Sequence, residues 1–230
     1  MDVKALLFDV FGTVVDWRTS LIDEFASSGI GPDVDWPGLV DAWRGAYAPS
    51  MDRVRKAELP WMNLDALHRQ SLETLAPRYG LVNPDLDHMV RAWHRLRPWP
   101  DSVAGLTRLK QRFIISPLSN GNVALLVDMA KHAGLPWDLV LCAETFRHYK
   151  PDPETYLGAA ALLGLEPGQV MLCAAHNADL AAAKSCGLRT AFIARPTEYG
   201  PHQSRDFGPE AEWDYAVGSI PELADRLIGS

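Results

Sequence analysis

The stretch of sequence that decides the fold is Lys4-Ala5-Leu6-Leu7-Phe8-Asp9-Val10-Phe11-Gly12-Thr13. Its apolar part is short, which is typical of a parallel strand covered by helices on both faces. Gly12 and Thr13 follow as loop residues. Ligands bind at the carboxyl ends of strands in open parallel α/β sheets. An aspartate at such an end can be a nucleophile, a general base, a metal ligand or a helix cap, so Asp9 is the first candidate functional residue.

The length and composition limit the classes of protein to which the chain can belong. Its 230 residues are 47% hydrophobic, and 22 basic against 29 acidic side chains give a net charge of -7. This length suits one globular domain with an insertion, or two small domains. The acidic balance, with no basic block, argues against a nucleic-acid partner.

Targeting signals and cysteine usage indicate the compartment. No apolar run reaches the roughly 20 residues that cross a bilayer, so we expect no membrane partner. The first strand reaches Asp9 too early for a signal peptide. Cys142, Cys173 and Cys186 are widely spaced in apolar surroundings, which favours free thiols over disulfides or a zinc site. We therefore predict a cytoplasmic protein.

A helical pattern occupies the segment between residues 17 and 98, where apolar residues recur at three- and four-residue spacing. The predicted helices are 20–27, 36–47, 64–79 and 84–94. The following Arg97-Pro98-Trp99-Pro100 indicates a hinge into another module. We predict that residues 1–16 and 99–230 form one domain and that residues 17–98 form a helical domain inserted into it.

The rest of the chain alternates between strand and helix patterns. The predicted strands are 113–118, 139–142, 170–174 and 190–193, and the predicted helices are 101–111, 123–133, 154–163, 180–186 and 221–228. Strands separated by helix-length segments indicate right-handed βαβ units. The predicted fold class is therefore α/β, with a doubly wound parallel sheet and an inserted helical domain.

Polar side chains follow four of the predicted strands. They are Asp9 and Thr13, then Ser119 and Asn120, then Lys150, and finally Asn177 and Asp179. Taken singly, Ser119 or Asp179 could cap a helix and Lys150 could lie on the surface. Because the carboxyl ends of parallel strands meet in one crevice, the set together predicts an active site.

These four groups, set in Phe8-Asp9-Val10-Phe11-Gly12-Thr13, Ser119-Asn120-Gly121, Tyr149-Lys150-Pro151-Asp152 and His176-Asn177-Ala178-Asp179, resemble the four motifs of the haloacid dehalogenase superfamily. The helical insertion resembles the cap domain of that superfamily, so the resemblance covers essentially the whole chain. It implies a Rossmann-like core with Asp9 as the nucleophile.

Two positions separate the chain from the phosphatases of that superfamily. Phosphatases carry a second aspartate two residues after the nucleophile to protonate the leaving alcohol, but Phe11 stands there and cannot donate a proton. Their last motif also carries an acid that helps hold magnesium, where this chain has Ala174-Ala175-His176-Asn177. Magnesium needs several hard oxygen ligands. We therefore expect no metal and no cofactor. We also expect a leaving group such as halide, which departs without a proton donor and without a metal.

The inserted segment supports the dehalogenase branch. Trp43-Arg44 resembles the Trp-Arg pair by which 2-haloacid dehalogenases bring an arginine over the active site, and Tyr156 matches a tyrosine of that family. The alternatives are an exposed helix arginine and a core-facing tyrosine. The His176-Asn177 pair departs from the Ser-x-Asn pattern of the family. We expect both residues to line the pocket, although His176 could also be a packed loop residue.

The resemblance implies hydrolytic dehalogenation of short 2-haloalkanoic acids to 2-hydroxy acids through an aspartyl-ester intermediate. In this scheme Lys150 keeps Asp9 ionised. The expected roles of the other residues are orientation of Asp9 and the substrate by Thr13 and Ser119, stabilisation of the departing halide by Arg44, Asn120 and His176, and activation of water by Asp179 supported by Asn177.

Other readings of the sequence stay open. One is a magnesium-dependent phosphatase with altered acid chemistry, and another is a catalytically silent relative on the same scaffold. Fluoroacetate is among the candidate substrates, because His176 and Asn177 could donate to fluoride. The resemblance also implies preference for the (S) enantiomer and is compatible with a homodimer.

Overall fold

The computed structural model describes residues 2–31 and 33–229. Its strands in chain order are β1 (Ala5–Phe8), β2 (Val15–Asp16), β3 (Arg97–Pro98), β4 (Ile114–Ser119), β5 (Leu141–Cys142), β6 (Val170–Ala174), β7 (Arg189–Ile193) and β8 (Tyr215–Val217). Its α-helices are α1 (Trp17–Ser27), α2 (Trp36–Gly45), α3 (Tyr47–Arg55), α4 (Leu64–Leu75), α5 (Leu86–Val90), α6 (Ser102–Leu109), α7 (Val123–Ala133), α8 (Ala143–Phe146), α9 (Pro153–Leu162), α10 (Asn177–Ser185) and α11 (Ile220–Ile228).

Six strands form one parallel sheet in the order β5-β4-β1-β6-β7-β8. Every residue of β1 and β6 is buried, which explains why both read as continuous apolar runs. β1 lies in the middle, with Phe8 opposite Pro117 on one side and Cys173 on the other. The predicted α/β fold is thus confirmed. The strands that follow β1 are added first on one side and then on the other, so Asp9 emerges at the switch point of the sheet.

The helices α1 to α5 lie between β2 and β3, which pair antiparallel with Val15 opposite Pro98 and Asp16 opposite Arg97. β3 thus occupies the start of the predicted hinge. Local sequence accounts for several helix starts, because the side chains of Asp16, Asp35 and Asn63 accept bonds from the first turns of α1, α2 and α4. Such a cap contributes about 1 kcal/mol.

Some elements differ from the prediction. The helix predicted over 36–47 ends at Gly45, and Tyr47 begins the separate helix α3. The end of the helix predicted over 64–79 is a 3-10 turn over Ala76–Tyr79. Neither α3 nor the short elements α8 and β8 was predicted from the sequence. Short elements contain too few residues to show a clear period, and α3 carries only one buried residue, Met51.

Aromatic side chains fill the space inside the helical segment and reach into the core. Trp17 stacks on Trp93 with ring centroids 6.2 Å apart, and Trp43 packs edge-on against Trp93 at 5.6 Å. The indole of Trp43 donates to the carbonyl of His68 at 3.0 Å. Phe11, from the loop after β1, joins the same cluster through Trp93. The loop that follows the first strand therefore packs directly against the inserted helices.

Within residues 2–31 and 33–229, no helix is both long and apolar enough to span a membrane. The three cysteines are free thiols, as predicted, with Cys142 and Cys173 buried and Cys186 half-buried.

Candidate active site

The carboxyl ends of the central strands face the inserted helices across a cavity of about 420 Å³. Eight of the residues singled out in the sequence line it, namely Asp9, Phe11, Arg44, Asn120, Lys150, Tyr156, His176 and Asp179. They come from the loops after β1, β4, β6 and α8, and from helices α2, α9 and α10. The crossover connections of the sheet bring these distant segments together.

A buried ammonium group lies between two carboxylates in this cavity. Lys150 Nζ donates to Asp9 Oδ1 at 2.9 Å and also to Asp179 Oδ2. The side chain of Asn120, just after β4, accepts from the Lys150 backbone N–H at 2.7 Å and thereby fixes the position of the lysine backbone. Burial alone would raise the pKa of Asp9, but the charges of Lys150 and His176 outweigh burial and hold that pKa far below its usual range.

Burial would likewise lower the pKa of Lys150, but the carboxylates of Asp179 and Asp9 raise it above its ordinary value. Asp9 is therefore a carboxylate and Lys150 an ammonium at neutral pH. On the far side of the pair, the fully buried Tyr156 donates its hydroxyl proton to Asp179 Oδ1 at 2.5 Å. Burial and the Asp179 charge both raise the pKa of Tyr156, so it stays a donor.

Thr13 and Ser119 are buried beside the cavity and are outside its lining. Thr13 Oγ1 donates to Asp9 Oδ2 at 2.8 Å and accepts from the N–H of Ala175 at 2.9 Å, so it ties the nucleophile candidate to the end of β6. Ser119 Oγ accepts from the N–H of Gly121 at 3.1 Å. Thr13 is thus placed to orient Asp9, whereas the bond described for Ser119 shapes the turn after β4.

Arg44 extends from α2 towards the cavity. Its guanidinium carbon lies 4.2 Å from the ring centroid of Tyr47 and 5.4 Å from that of Trp17. Within the described part of the chain, its buried Nε has no hydrogen-bond partner. Burial would lower the pKa of Arg44, but Tyr47, Tyr199 and nearby carboxylates raise it, so the group stays charged. A cation held by aromatic faces with an uncommitted N–H is suited to binding an anion.

His176 lies between two carboxylates. Its Nδ1 is 3.1 Å from Asp9 Oδ2, and its Nε2 is 2.9 Å from Glu198 Oε2. Burial would lower the pKa of His176, but Glu198 and Asp9 raise it well above its ordinary value, so the ring is an imidazolium. Both ring nitrogens therefore carry protons and donate.

Glu198 was not predicted from the sequence. It is 1% exposed and follows β7, and its Oε1 accepts from the indole of Trp17 at 3.0 Å. A Cβ atom on Gly12 would lie 2.1 Å from Glu198 Oε1, so the glycine with φ +88° leaves room for this carboxylate. The sequence signal that could have identified Glu198 is its position in the loop after β7, because the other candidate residues also follow strands of this sheet.

Asn177 differs from the prediction that it lines the pocket. Its side chain donates to Asp206 Oδ1 at 2.9 Å and to the Gly208 carbonyl at 3.0 Å. It accepts from the Glu210 N–H at 2.9 Å and from the Trp213 indole at 3.0 Å. Four bonds commit the amide to the segment from 206 to 213, so it is not available to support Asp179. The expectation failed because the loop after β7 folds back over the start of α10.

The cavity contains further residues that the sequence did not single out, among them Tyr47, Met51, Tyr199 and Arg205. Tyr47 begins α3, and Arg205 lies over the ring of Tyr199 with its guanidinium carbon 4.5 Å from the centroid. These residues belong to α3 and to the loop after β7, where the sequence shows no motif. Only the packing of these segments over the sheet places them at the cavity.

The arrangement does not fit a magnesium ion. Lys150 bridges Asp9 and Asp179, and the other oxygens of these carboxylates accept from Thr13, His176 and Tyr156. A hard cation needs several free oxygen ligands in an octahedron. The ammonium of Lys150 occupies the space between the two carboxylates and repels a cation, and Asp9 Oδ2 already accepts two hydrogen bonds, so these residues do not offer that set. We derive no chemical step through a metal.

Comparison with known proteins places these features in a family. The model of haloacid dehalogenase-like hydrolases matches residues 3–187. The L-2-haloacid dehalogenase PA0810 is 54% identical, with 99% of this chain and 100% of that chain covered and a TM-score of 0.95. The defluorinating L-2-haloacid dehalogenase Rha0230 is 50% identical, with 98% and 95% covered and a TM-score of 0.94. The (S)-2-haloacid dehalogenase 1 of Pseudomonas sp. (strain CBS-3) is 27% identical, with 98% of each chain covered. With a matching family model over most of its length and the same fold as these enzymes, the chain belongs to the haloacid dehalogenase-like hydrolases.

Proposed function

We propose that the protein hydrolyses short 2-haloalkanoic acids to 2-hydroxy acids, with Asp9 forming an ester to the substrate carbon. The observation that carries this proposal is the pairing of an ionised Asp9 with Arg44 across one cavity. Asp9 is held as a carboxylate by Lys150, and Arg44 offers a charged group with an uncommitted N–H. Phe11 stands where an alcohol leaving group would need a proton donor.

In the first step an oxygen of Asp9 attacks the halogen-bearing carbon from the side opposite the halide. The carbon–halogen bond breaks with its electron pair on the halide, so the configuration at carbon inverts. Arg44 is the residue best suited to receive the developing negative charge, because its guanidinium is charged, lies on the ring of Tyr47 and has a buried Nε without another partner. Asn120 also lines the cavity, and it holds the backbone of Lys150.

In the second step water attacks the ester carbonyl of Asp9 and the 2-hydroxy acid leaves. Asp179 is the proposed base, since its carboxylate accepts from the same Lys150 ammonium group that donates to Asp9. The Tyr156 hydroxyl and Lys150 hold the two Asp179 oxygens in place. The regenerated Asp9 carboxylate then contains one oxygen atom that came from water.

The proposed substrate range follows from the relatives, and the cavity of about 420 Å³ has room for a short 2-haloacid. The relatives named above act on L- or (S)-2-haloacids, and Rha0230 is named as defluorinating. We therefore propose the (S) enantiomer as substrate and include fluoroacetate. A cytoplasmic location and a homodimer stay predictions from the sequence.

A single turnover in water labelled with heavy oxygen tests the proposed reaction. With enzyme in excess over (S)-2-chloropropionate, the label should enter Asp9 and be absent from the first product. Label in the product alone would contradict attack by Asp9 and favour direct attack by water. Asp9→Asn should abolish halide release without changing the circular dichroism spectrum, since the amide cannot act as the nucleophile.

A substrate panel separates the proposal from its rivals. Halide release should occur from chloroacetate, bromoacetate and (S)-2-chloropropionate, more slowly from fluoroacetate, and hardly from (R)-2-chloropropionate. A chelator should leave these rates unchanged. Magnesium-dependent release of phosphate from phosphate esters would favour the phosphatase alternative, and absence of any turnover would favour a catalytically silent relative.

A further inference from the structure

The two carboxylate oxygens of Asp9 have different partners. Oδ2 accepts from Thr13 Oγ1 at 2.8 Å and from His176 Nδ1 at 3.1 Å, whereas Oδ1 accepts from Lys150 Nζ at 2.9 Å. Each carboxylate oxygen has two lone pairs in the plane of the group. Both lone pairs of Oδ2 are therefore used. Oδ1 keeps one for attack on a carbon in the cavity.

His176 has no N–H left for a halide or for a water molecule. Its second nitrogen is bonded to Glu198, whose carboxylate is buried and held by the indole of Trp17. Among the described residues, no lysine or arginine nitrogen lies within 4.0 Å of Glu198, so the imidazolium is its ion-pair partner. This arrangement leaves His176 one function towards the reacting atoms, which is donation to Asp9 Oδ2. It does not support the expectation that His176 stabilises the halide.

We infer that His176, together with Thr13, stabilises the negative charge that forms on Asp9 Oδ2 when water attacks the ester, and that Glu198 is the positioning residue that keeps His176 oriented and charged. The inference rests on the proposed function and deepens its second step. Donors 2.8 and 3.1 Å from the oxygen that becomes anionic have the geometry of an oxyanion hole.

In the ester, Oδ1 is bonded to the substrate carbon and Oδ2 is the carbonyl oxygen. Water forms a bond to Cγ and gives one proton to Asp179, while the carbonyl π electrons move to Oδ2. The oxyanion then collapses, the Cγ–Oδ1 bond breaks, and the product oxygen takes the proton from Asp179. The new acid group on Asp9 ionises and releases one proton to water.

Glu198→Gln tests the inference because it keeps the shape of the side chain and removes its charge. Rapid-quench measurements should show that the first halide per active site is released at nearly the wild-type rate. Steady-state turnover should fall about 10-fold, and His176→Phe should lower it about 100-fold, in the range found for loss of one oxyanion-hole donor. In both variants intact-mass measurements should detect the ester of Asp9 accumulating during turnover.

The pH dependence of ester hydrolysis distinguishes a role of His176 in the reaction from a purely structural role. The groups that contact His176 are the carboxylates of Asp9 and Glu198, and the other charged side chains that line the same cavity are Arg44, Lys150, Asp179, Arg205 and Asp206. In Glu198→Gln the imidazolium loses a carboxylate, so hydrolysis of the ester should decline as pH rises from about 6 to about 8, near the ordinary pKa of histidine. The wild type should show no such decline. Glu73→Gln, at an exposed position of α4, is the matched control for the charge change.

Three outcomes decide the matter. Ester accumulation with a preserved halide burst in both variants supports the inference. A slowed halide burst without accumulated ester would overturn it and assign His176 to the first step. Ester hydrolysis in Glu198→Gln that rises with pH would also overturn it, because His176 would then act as a base. Failure of the proposed function looks different, since the wild type itself would release no halide and form no ester.

Discussion

Phe11 packs edge-on against Trp93, with ring centroids 5.6 Å apart and ring planes at 87°. Phe11 belongs to the loop that carries Asp9, and Trp93 belongs to a 3-10 helix of the inserted segment. The position that holds an acid in phosphatases of this superfamily therefore holds an apolar contact between the core and the helices above it. An aspartate there would place a charge among Trp93, Tyr47 and the guanidinium of Arg44.

The first prediction follows from this contact. Phe11→Ala should lower the free energy of unfolding by about 3 kcal/mol, because it removes a side chain that is 2% exposed from a packed aromatic cluster. Urea denaturation followed by tryptophan fluorescence measures the change. Phe207→Ala, at a position 57% exposed, should change stability by less than about 0.5 kcal/mol. Equal effects at the two positions would contradict the packing argument.

The second prediction concerns Arg44. Arg44→Met should lower kcat/KM for chloroacetate about 100-fold, since the cation that faces the departing halide is lost. Arg44→Lys should recover little, because a lysine cannot reproduce the flat stacking on Tyr47. Arg53→Met, an exposed arginine of α3, is the control and should leave kinetics unchanged. Full activity in Arg44→Lys would show that any positive charge suffices.

The third prediction is a pH profile for Lys150. Burial raises the pKa of Asp9, and in the wild type Lys150 and His176 outweigh this and hold the pKa low, so Asp9 stays ionised down to acid pH. Removing the ammonium in Lys150→Met should raise the pKa of Asp9 and lower halide release at least about 100-fold at neutral pH. The residual rate of halide release by the variant should decline further as pH falls. A variant profile parallel to that of the wild type would contradict the role assigned to Lys150, and Lys184→Met on the exposed side of α10 is the control.

The fourth prediction distinguishes the two roles considered for Asn177. Asn177→Ala should lower stability by about 2 kcal/mol, because it leaves the partners in the 206–213 segment without their bonds. Proteolysis of that segment should become faster. The ester of Asp9 should not accumulate, and this separates Asn177→Ala from the Glu198 and His176 variants. Accumulated ester in Asn177→Ala would restore the role in water activation that its sequence position suggested.

The fifth prediction concerns a contact between the inserted helices and α7. His94 lies between Asp65 and Asp128, with nitrogen–oxygen distances of 3.1 and 2.8 Å. Burial would lower the pKa of His94, but the two carboxylates outweigh it and raise the pKa above its ordinary value. A group with a raised folded-state pKa stabilises fully below its unfolded pKa and loses this contribution as pH rises through the folded value.

The stability difference between the wild type and His94→Gln should therefore be larger at about pH 5.5 than at about pH 9. Urea denaturation at the two pH values measures it. His132→Gln, a histidine near the end of α7 that makes no described side-chain ion pair, is the control. A difference independent of pH would mean that His94 contributes by packing alone.

Local sequence determined a large part of this protein. Short apolar strands, helical spacing and cap residues are properties of a few neighbouring positions, so the sheet, most helices and the four polar strand ends could be predicted. The argument against phosphatase chemistry could also be made from the sequence. It depends on Phe11 and on the residues before His176, and the absence of a proton donor or a metal ligand is a property of residue type.

Only the tertiary structure decided which side chains meet. The bond between Trp17 and Glu198 joins residues 181 positions apart, and no periodicity or motif encodes such a pair. The charge on His176 depends on Glu198 and Asp9 reaching it from two other strand ends, and Asn177 was drawn away from Asp179 by the loop after β7. A side chain's residue type sets the chemistry that it can perform. Its charge and its partners depend on desolvation and on neighbours that the folded chain brings within about 3 Å.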